Sequence, residues 1–465
     1  MTMNSFTQYI QRLFMDEVGG LFAAEPAPLR EARQKAMDFF LAHGLPTRKM
    51  ENWRQCPIDG LVQSDYRVQR EADPYRPVEE YFQCQVRNLA TQMFPFLNGW
   101  FVHPDAPLTT AANGVITGSV SAAVKQCPNL ILPYLTISHA DKPDRGLVAL
   151  NEALFNDGLF IYIPANVKVE EPLQLVSMIN TDDNLLINNH NVIVLGENAS
   201  LSFVHCDDSI QYGKTLINNV TEVHLAPNAV MHYYKTENKD ADSLLVNHLF
   251  VRQQENSEWV SNVVTFNAGY IHNAIHLDLD EPFAHANLYG LYLVDKTQVV
   301  DNQVFVAHNA PDCTSYQMYK GIADDSARAN FNGHIVVRQD SQRTQAYQTN
   351  RNMALTDEAV VTTHPFLEIY ADDVKCSHGA TVGQLNEEAL FYLRSRGIGE
   401  RTARMLLMYA FANEVTDKVT IDSLRERLAN MVERRLSGEL TLCDQCRLHT
   451  SDGKRLIFDV DPNKF

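Results

Sequence analysis

The sequence predicts a mainly β protein, a solenoid of stacked short strands with helical regions at both ends. Three observations carry that expectation. From about Ile131 to Ile369 short alternating segments recur, among them Val192-Ile193-Val194-Leu195, Leu201-Ser202-Phe203-Val204 and Phe331-Asn332-Gly333-His334-Ile335-Val336-Val337. The turn clusters Gly196-Glu197-Asn198, Pro227-Asn228, Gln254-Glu255-Asn256 and Glu281-Pro282 begin 31, 27 and 27 residues apart. No helical pattern intervenes, so each coil must bury its inward side chains by stacking on its neighbours. Pattern alone also permits a β-sandwich.

Taken in order, Phe6–Phe14 and Leu29–Leu41 place apolar residues at three- and four-residue spacing and read as two helices. Pro26 and Pro28 part them, and Gly44-Leu45-Pro46 ends the second. Residues 51–128 are poorly periodic, broken by Pro57, Pro74, Pro77, Pro95, Pro104 and Pro107. We therefore expect a helical or mixed unit over 1–128 and the β core over 129–383. After Gly383 the period becomes helical again. Asn386 is placed to cap a helix with Glu387 and Glu388 in its first turn, and Gly397 closes it behind Arg394 and Arg396. Further helices are expected over about 400–414 and 421–436, giving a helical unit at 384–437 and a tail at 438–465.

Composition narrows the function. Hydrophobic residues make up 45% of the 465 and charged residues 21%, ordinary globular usage. With 39 Lys and Arg against 57 Asp and Glu the net charge is −18, which opposes attraction to nucleic acid or to an anionic membrane. Gln8, Gln11, Arg12, Asp16 and Glu17 interrupt any secretory leader, no run of 18 apolar residues occurs, and the eight cysteines, most of them scattered singly, suit a reducing compartment. A cytoplasmic protein is expected.

The densest polar stretch is Glu368 to Thr381, in which Cys376 and His378 stand two apart. On a strand that spacing places both on one face, where sulfur and nitrogen could hold iron or pass sulfur. The same residues also suit a small buried hydrophobe and a hydrogen-bonded interior histidine. Near the end, Cys443, Cys446 and His449 supply three ligands, one short of a closed zinc site; the alternative is a tail with an incidental cysteine pair. Gly213-Lys214-Thr215 looks like the end of a phosphate-binding loop, but Asp208 stands where its first glycine is required. His205, His232, His248, His272, His276, His285, His308 and His334 are strewn along the solenoid and read as mostly structural.

The run Ala371-Asp372-Asp373-Val374-Lys375-Cys376-Ser377-His378-Gly379-Ala380-Thr381-Val382-Gly383, followed by Leu390-Phe391-Tyr392-Leu393-Arg394-Ser395-Arg396-Gly397-Ile398, resembles the C-terminal signature of the SufB/SufD family, its SufD branch in particular. The resemblance extends through Tyr319-Lys320-Gly321-Ile322, Ala327 to Gly333, Gln348 to Asn352, Ala149-Leu150-Asn151 with Asp157-Gly158, and Gly44 to Lys49 with Trp53. It implies a right-handed parallel β-helix between helical ends, acting as a non-catalytic scaffold on which iron-sulfur clusters form. The β-helix would pair with SufB, and the C-terminal helices would dock the ATPase SufC through Leu390, Phe391, Tyr392, Arg394, Arg396, Gly397, Met405 and Leu406. His378 matches the family histidine implicated in cluster assembly and Cys376 its neighbouring cysteine.

No tightly bound cofactor is expected in the chain alone, only a transient cluster in the complex. A SufB-like or homodimeric scaffold is the nearest alternative. His272-Asn273 departs from the family pattern, where an arginine is expected, and the tail with its cysteine pair is not a usual family feature. From another class, a solenoid enzyme acting on carbohydrate would need carboxylates gathered on one face, whereas the adjacent Asp372 and Asp373 would point to opposite faces of a strand.

Overall fold

The computed structural model describes residues 5–62, 66–73, 91–103, 106–209, 214–267 and 269–437. The chain opens with helices α1 (Ser5–Gly19) and α2 (Ala27–His43), the latter with a proline in its first turn and Gly44 at its end at φ 70°. Short strands follow: β1 (Gln92–Leu97), β2 (Trp100–Phe101), β3 (Leu108–Thr110) and β4 (Ile116–Ser119). Then come helices α3 (Val120–Gln126), α4 (Pro128–Leu135) and α5 (Gly146–Leu154).

From there the chain winds as strands β5 (Leu159–Ile163), β6 (Leu173–Ile179), β7 (Leu186–Leu195), β8 (Ser200–Ser209), β9 (Leu216–Leu225), β10 (Val230–Asn238), β11 (Leu244–Gln253) and β12 (Glu258–Asn267). It continues through β13 (Tyr270–Leu279), β14 (His285–Val294), β15 (Val299–His308), β16 (Thr314–Ala323), β17 (Arg328–Val337), β18 (Thr344–Ala354), β19 (Val360–Ile369) and β20 (Val374–Gly383). Three helices close it: α6 (Glu387–Ser395), α7 (Glu400–Thr416) and α8 (Asp422–Ser437).

Successive strands alternate between two ten-stranded sheets. One runs β2-β1-β6-β8-β10-β12-β14-β16-β18-β20 and the other β19-β17-β15-β13-β11-β9-β7-β5-β4-β3. Pairing along the coils is parallel, as in Leu244↔Tyr270 through Gln253↔Leu279. This is the predicted β-solenoid. Its period is set at one corner, where Asn198, Asn228, Asn256, Phe283 and Asp312 hold positive φ angles of 53° to 62°. Asparagine tolerates that left-handed conformation better than most residues. The corners also bond to each other: Asn198 Nδ2 donates to Asn166 Oδ1, and Asn256 Nδ2 to Asn228 Oδ1, each at 2.8 Å.

Between the sheets lies one apolar core running from Phe94 to Ala371, which includes Trp259, Phe203 and Phe331. Large rings fill it by lying over glycines of the next coil. A Cβ on Gly290 would meet the Tyr319 ring at 2.2 Å, and one on Gly321 would meet the Tyr292 ring at 2.0 Å. Polar residues inside are stacked and bonded: Asn219 donates to Asn247 at 3.2 Å, Asn247 to Asn273 at 2.9 Å, and Asn273 to Asn302 at 3.3 Å.

The helices cover the outer faces. A cluster built from Ile10, Phe14, Met37, Phe40 and Trp53 packs on Leu216, Val220, Val246 and Phe250 of the odd-numbered sheet. On the even-numbered sheet, Met408, Val415, Leu424, Leu428 and Val432 pack on Tyr234, Val264, Leu291 and Ile322. Arg435 anchors the last helix, donating to Phe266 O at 2.8 Å and lying 2.9 Å from Asp295 with both side chains buried.

The expected start of the β core at 129 differs from the element order. Strands β1–β4 precede that position and pair with the two sheets, while α4 and α5 follow it. The early strands are two to six residues long, too short to show a period. All nine residues of α5 are buried, so it carries no polar stripe that would mark it as a helix. At the other end Asn386 accepts from Ala389 N at 3.0 Å as a cap, and α6 to α8 fall where their sequence pattern places them. No helix of the described residues is long and apolar enough to cross a membrane.

Candidate functional site

Strand β20 is the last of its sheet and pairs on one side only, with β18, in the register Ala346↔Cys376 and Gln348↔His378. Parallel partners in register point the same way, so the neighbours show where these side chains lie. Ala346 belongs to the solenoid core, and Gln348, 2% exposed, sits inside against Gly333 and donates to Gln317 Oε1 at 3.2 Å. Cys376 packs at the rim of that same core, half-buried. His378 follows two residues on, on the same face about 7 Å along the strand, and is exposed, since no further coil among the described residues covers it. The open end of the solenoid thus presents a thiol and an imidazole above its own interior.

Their chemistry differs. Burial pushes the Cys376 thiol up, against a lowering by the Ala346 backbone, so it stays protonated at neutral pH and is a weak nucleophile. His378 is solvent-accessible. Two donors do not close a metal site, and among the described residues no three His, Cys, Asp or Glu side chains are grouped to hold a metal. Asp372 and Asp373, just before β20, are both exposed.

The helical set divides. Phe391, Tyr392 and Leu406 are exposed at 74%, 57% and 40%. Arg394 lies 3.1 Å from Glu400, and the Arg396 guanidinium sits over the Tyr392 ring at 5.1 Å. Gly397 takes φ 84° at the turn into α7. Leu390 is buried and Met405 packs partly into the cluster beneath α7 and α8. Cys443, Cys446 and His449 lie outside the described residues.

Most of the other quoted stretches serve packing. Tyr319 fills the core, while Lys320 on the outside reaches Glu414 at 2.6 Å and Phe411 O at 3.1 Å, tying α7 to the sheet. Asn151 donates to Asn189 O and Asn218 O and so pins α5. Asp157, fully buried, accepts from Ser119 Oγ at 2.7 Å and from three backbone N–H groups. His308 bonds Ser315 Oγ at 2.9 Å, its pKa pushed down by burial to about 4. Thr215 is buried and bonds Ser243 Oγ, as a solenoid corner does.

Sequence reasoning missed a buried cluster on the odd-numbered face. Glu222 accepts from His190 Nε2 at 2.8 Å and His224 Nε2 at 3.4 Å. His139 Nε2 stands 3.3 Å from Glu222 Oε2, within ion-pair distance. Burial alone would push the Glu222 carboxyl up, yet His139 and the other two imidazoles hold it well below the usual carboxylate range. Glu222 pairs with Val192, two residues along the neighbouring strand from His190, and His224 stands two residues from Glu222 on its own strand, so the available signal was the two-residue spacing that puts Glu222 and His224 on one face; His139 had none.

Residues 178–411 match the family model described as SUF system FeS cluster assembly, SufBD core domain, and residues 3–175 match the SufBD protein N-terminal region. The chain is 29% identical over 424 residues to an iron-sulfur cluster assembly SufBD family protein of Synechocystis, covering 88% of this chain and 92% of that one. It is 29% identical over 423 residues to the iron-sulfur cluster assembly protein SufD of Escherichia coli, 90% and 96% of the two chains. Against SufD of Bacillus subtilis the identity is 27% over 327 residues, 70% and 74% of the two.

Proposed function

The chain belongs to the SufBD family of iron-sulfur cluster assembly proteins, and on that premise we propose that it is the SufD-type scaffold of a cytoplasmic complex with SufB and the ATPase SufC. The observation that supports this reading is the uncovered last coil. Among the described residues, strands β19 and β20 end the two sheets with unpaired backbone edges, and Phe366, Ile369, Tyr370 and Val382 stand exposed around them. Such an edge invites strand addition by another chain. A SufB partner seated there would bring its own ligands against His378 and Cys376, completing a site that this chain only half supplies. Without that partner, a second copy would take the same edge.

The cluster is cargo. His378 offers a nitrogen ligand to iron at the junction, and Cys376, held as a thiol, contributes only once a neighbouring positive charge or metal draws off its proton. Exposed Phe391, Tyr392 and Leu406, flanked by Arg394 and Arg396, form the surface for SufC, since aromatic residues and arginine are favoured in interfaces. ATP hydrolysis belongs to SufC, and this chain carries no tightly bound cofactor.

The test is to co-express the chain with SufB and SufC, reconstitute the cluster anaerobically, and compare wild type with His378→Ala by visible absorption and iron content. Intact assembly with a lost cluster is the expected result. Failure of the wild-type chain to bind either partner would overturn the scaffold reading.

A further inference from the structure

Inward from His378 the solenoid holds a buried acceptor to which nothing is bonded. His378 is in register with Gln348 on β18, and Gln348 with Gln317 on β16, so the three side chains form one column running from the rim into the interior. Gln317 and Gln348 are 0% and 2% exposed, and Gln348 Nε2 donates to Gln317 Oε1 at 3.2 Å. Gln348 Oε1 has no hydrogen-bond partner. The amide lies over Gly333, where any Cβ would overlap its nitrogen, so the facing sheet fixes its place.

This column has a polarity. An amide's oxygen and nitrogen branch from one carbon, so with the Gln348 nitrogen bonded back to the preceding coil its oxygen is turned away from that coil. The next side chain in register is the His378 imidazole, on a strand about 4.8 Å away, and a neutral imidazole always has one N–H to give. The interior already passes hydrogen bonds between coils in this way, from Asn219 through Asn247 and Asn273 to Asn302, each pair in register. Two other polar side chains lie on inward-facing positions of the last full coil. Asn350 Nδ2 is occupied, donating to Tyr292 Oη and to Tyr319 O, each at 3.2 Å. Thr363 Oγ1, on β19, is buried and unpaired and is the rival donor.

We propose that Gln348 is a positioning residue for His378: its Oε1 accepts from His378 Nδ1–H and holds the ring as the tautomer whose bare Nε2 faces outward. The inference rests on the reading of His378 as a ligand to iron. Nδ1 is the ring nitrogen nearer the strand and Nε2 the farther one, so a bond made inward through Nδ1 leaves Nε2 presented at the rim. A buried acceptor left unpaired is costly, and a hydrogen bond to the second nitrogen of a metal-binding imidazole both orients the ring and raises its basicity.

Long-range proton–nitrogen correlation spectra of the full chain, labelled with nitrogen-15 in histidine, test this on the free protein, the His378 signals being identified by their loss in His378→Ala. Wild type is expected to show His378 as the Nδ1–H tautomer, whereas an imidazole bonded only to water favours Nε2–H. Gln348→Met keeps an unbranched stem and removes both amide atoms, and should return His378 to the preference seen in water. Thr363→Val deletes the rival hydroxyl and should not. In the complex reconstituted with SufB and SufC, Gln348→Met should bind iron about tenfold more weakly than wild type. A wild-type His378 in the Nε2–H form, a tautomer that changes with Thr363→Val instead, or iron binding unchanged once the tautomer has moved would each overturn the proposal. If Gln348→Met fails to fold, the wild-type spectrum decides alone. Because the tautomer is read without iron or partners, its failure leaves the ligand reading standing, whereas a cluster retained in His378→Ala removes that reading and this inference with it.

Discussion

The first and last coils of this solenoid meet the same problem and answer it oppositely. At the beginning, both sheets end in strands of two or three residues, β2 and β3, paired antiparallel to β1 and β4. At the end, both sheets stop at ten-residue strands, β19 and β20, and no further strand among the described residues pairs with them. Short antiparallel strands blunt an edge, whereas long parallel ones leave a template. The outer faces repeat the contrast: coils up to β16 are covered by helices and buried ion pairs, while β20 carries its distinctive side chains into solvent. Stability is concentrated along the flanks, and the rim is where the proposed cluster chemistry would lie. If that division is right, substitutions should separate cleanly into those that cost folding and those that cost only assembly.

The largest effect is expected at Glu222. Glu222→Gln leaves buried histidines without their carboxylate and should destabilise by about 3–5 kcal/mol, read as a lower urea midpoint. The pH profile sharpens the point. Glu222 is held below its unfolded value, so its contribution is present above about pH 4.3 and fades as pH falls through the folded value. For His139, burial alone would lower the pKa, but Glu222 raises it overall. Its contribution is therefore complete below about pH 6.5 and is lost as pH rises through the folded value. The two describe one interaction, strongest between those limits. Glu222→Gln should flatten the profile; a profile shaped like wild type would show that this pair does not hold the N-terminal region down.

Next comes Arg435, whose bonds to Phe266 O and Asp295 fix α8 from a buried position. Arg435→Ala should cost about 3 kcal/mol and raise protease sensitivity of 387–437 before that of the solenoid. Simultaneous loss of both would mean that the helices are not a separately held flank. At the corners the expected cost is smaller. Asn256 at φ 53° becomes strained as alanine, by about 1 kcal/mol, whereas Asn256→Gly should be near neutral. Equal losses in the two variants would assign the corner's stability to the asparagine ladder instead of the backbone.

What the sequence disclosed follows the same division. Corners were legible because a left-handed residue is needed once per coil, and Asn198, Asn228 and Asn256 mark it. Cys376 and His378 were legible because two residues on one strand share a face by local geometry. By contrast, α5 is buried all round and offers no amphipathic stripe, and β2 and β3 are too short for a period. His139 meets Glu222, and Arg145 meets His276, only because the N-terminal region folds back over a sheet formed later in the chain. Local period carries information within a coil or between stacked coils. It carries none about which helix covers which face.

The smallest stability effect, and the sharpest test of the contrast, is expected at the rim. His378 is exposed, and removal of its ring deletes no buried contact, so His378→Ala should shift the urea midpoint by no more than about 0.5 kcal/mol. In the reconstituted complex the same substitution should abolish or strongly reduce the cluster absorption, as the proposal that its imidazole is a ligand at the junction of two edges requires. Cys376→Ala separates the two roles further. Its side chain touches the core rim, so a cost approaching 1 kcal/mol is expected whatever its chemistry. A cluster retained in Cys376→Ala but lost in His378→Ala would make the histidine the functional donor and the cysteine the last tile of the core; the reverse result would place the chemistry on sulfur despite its raised pKa.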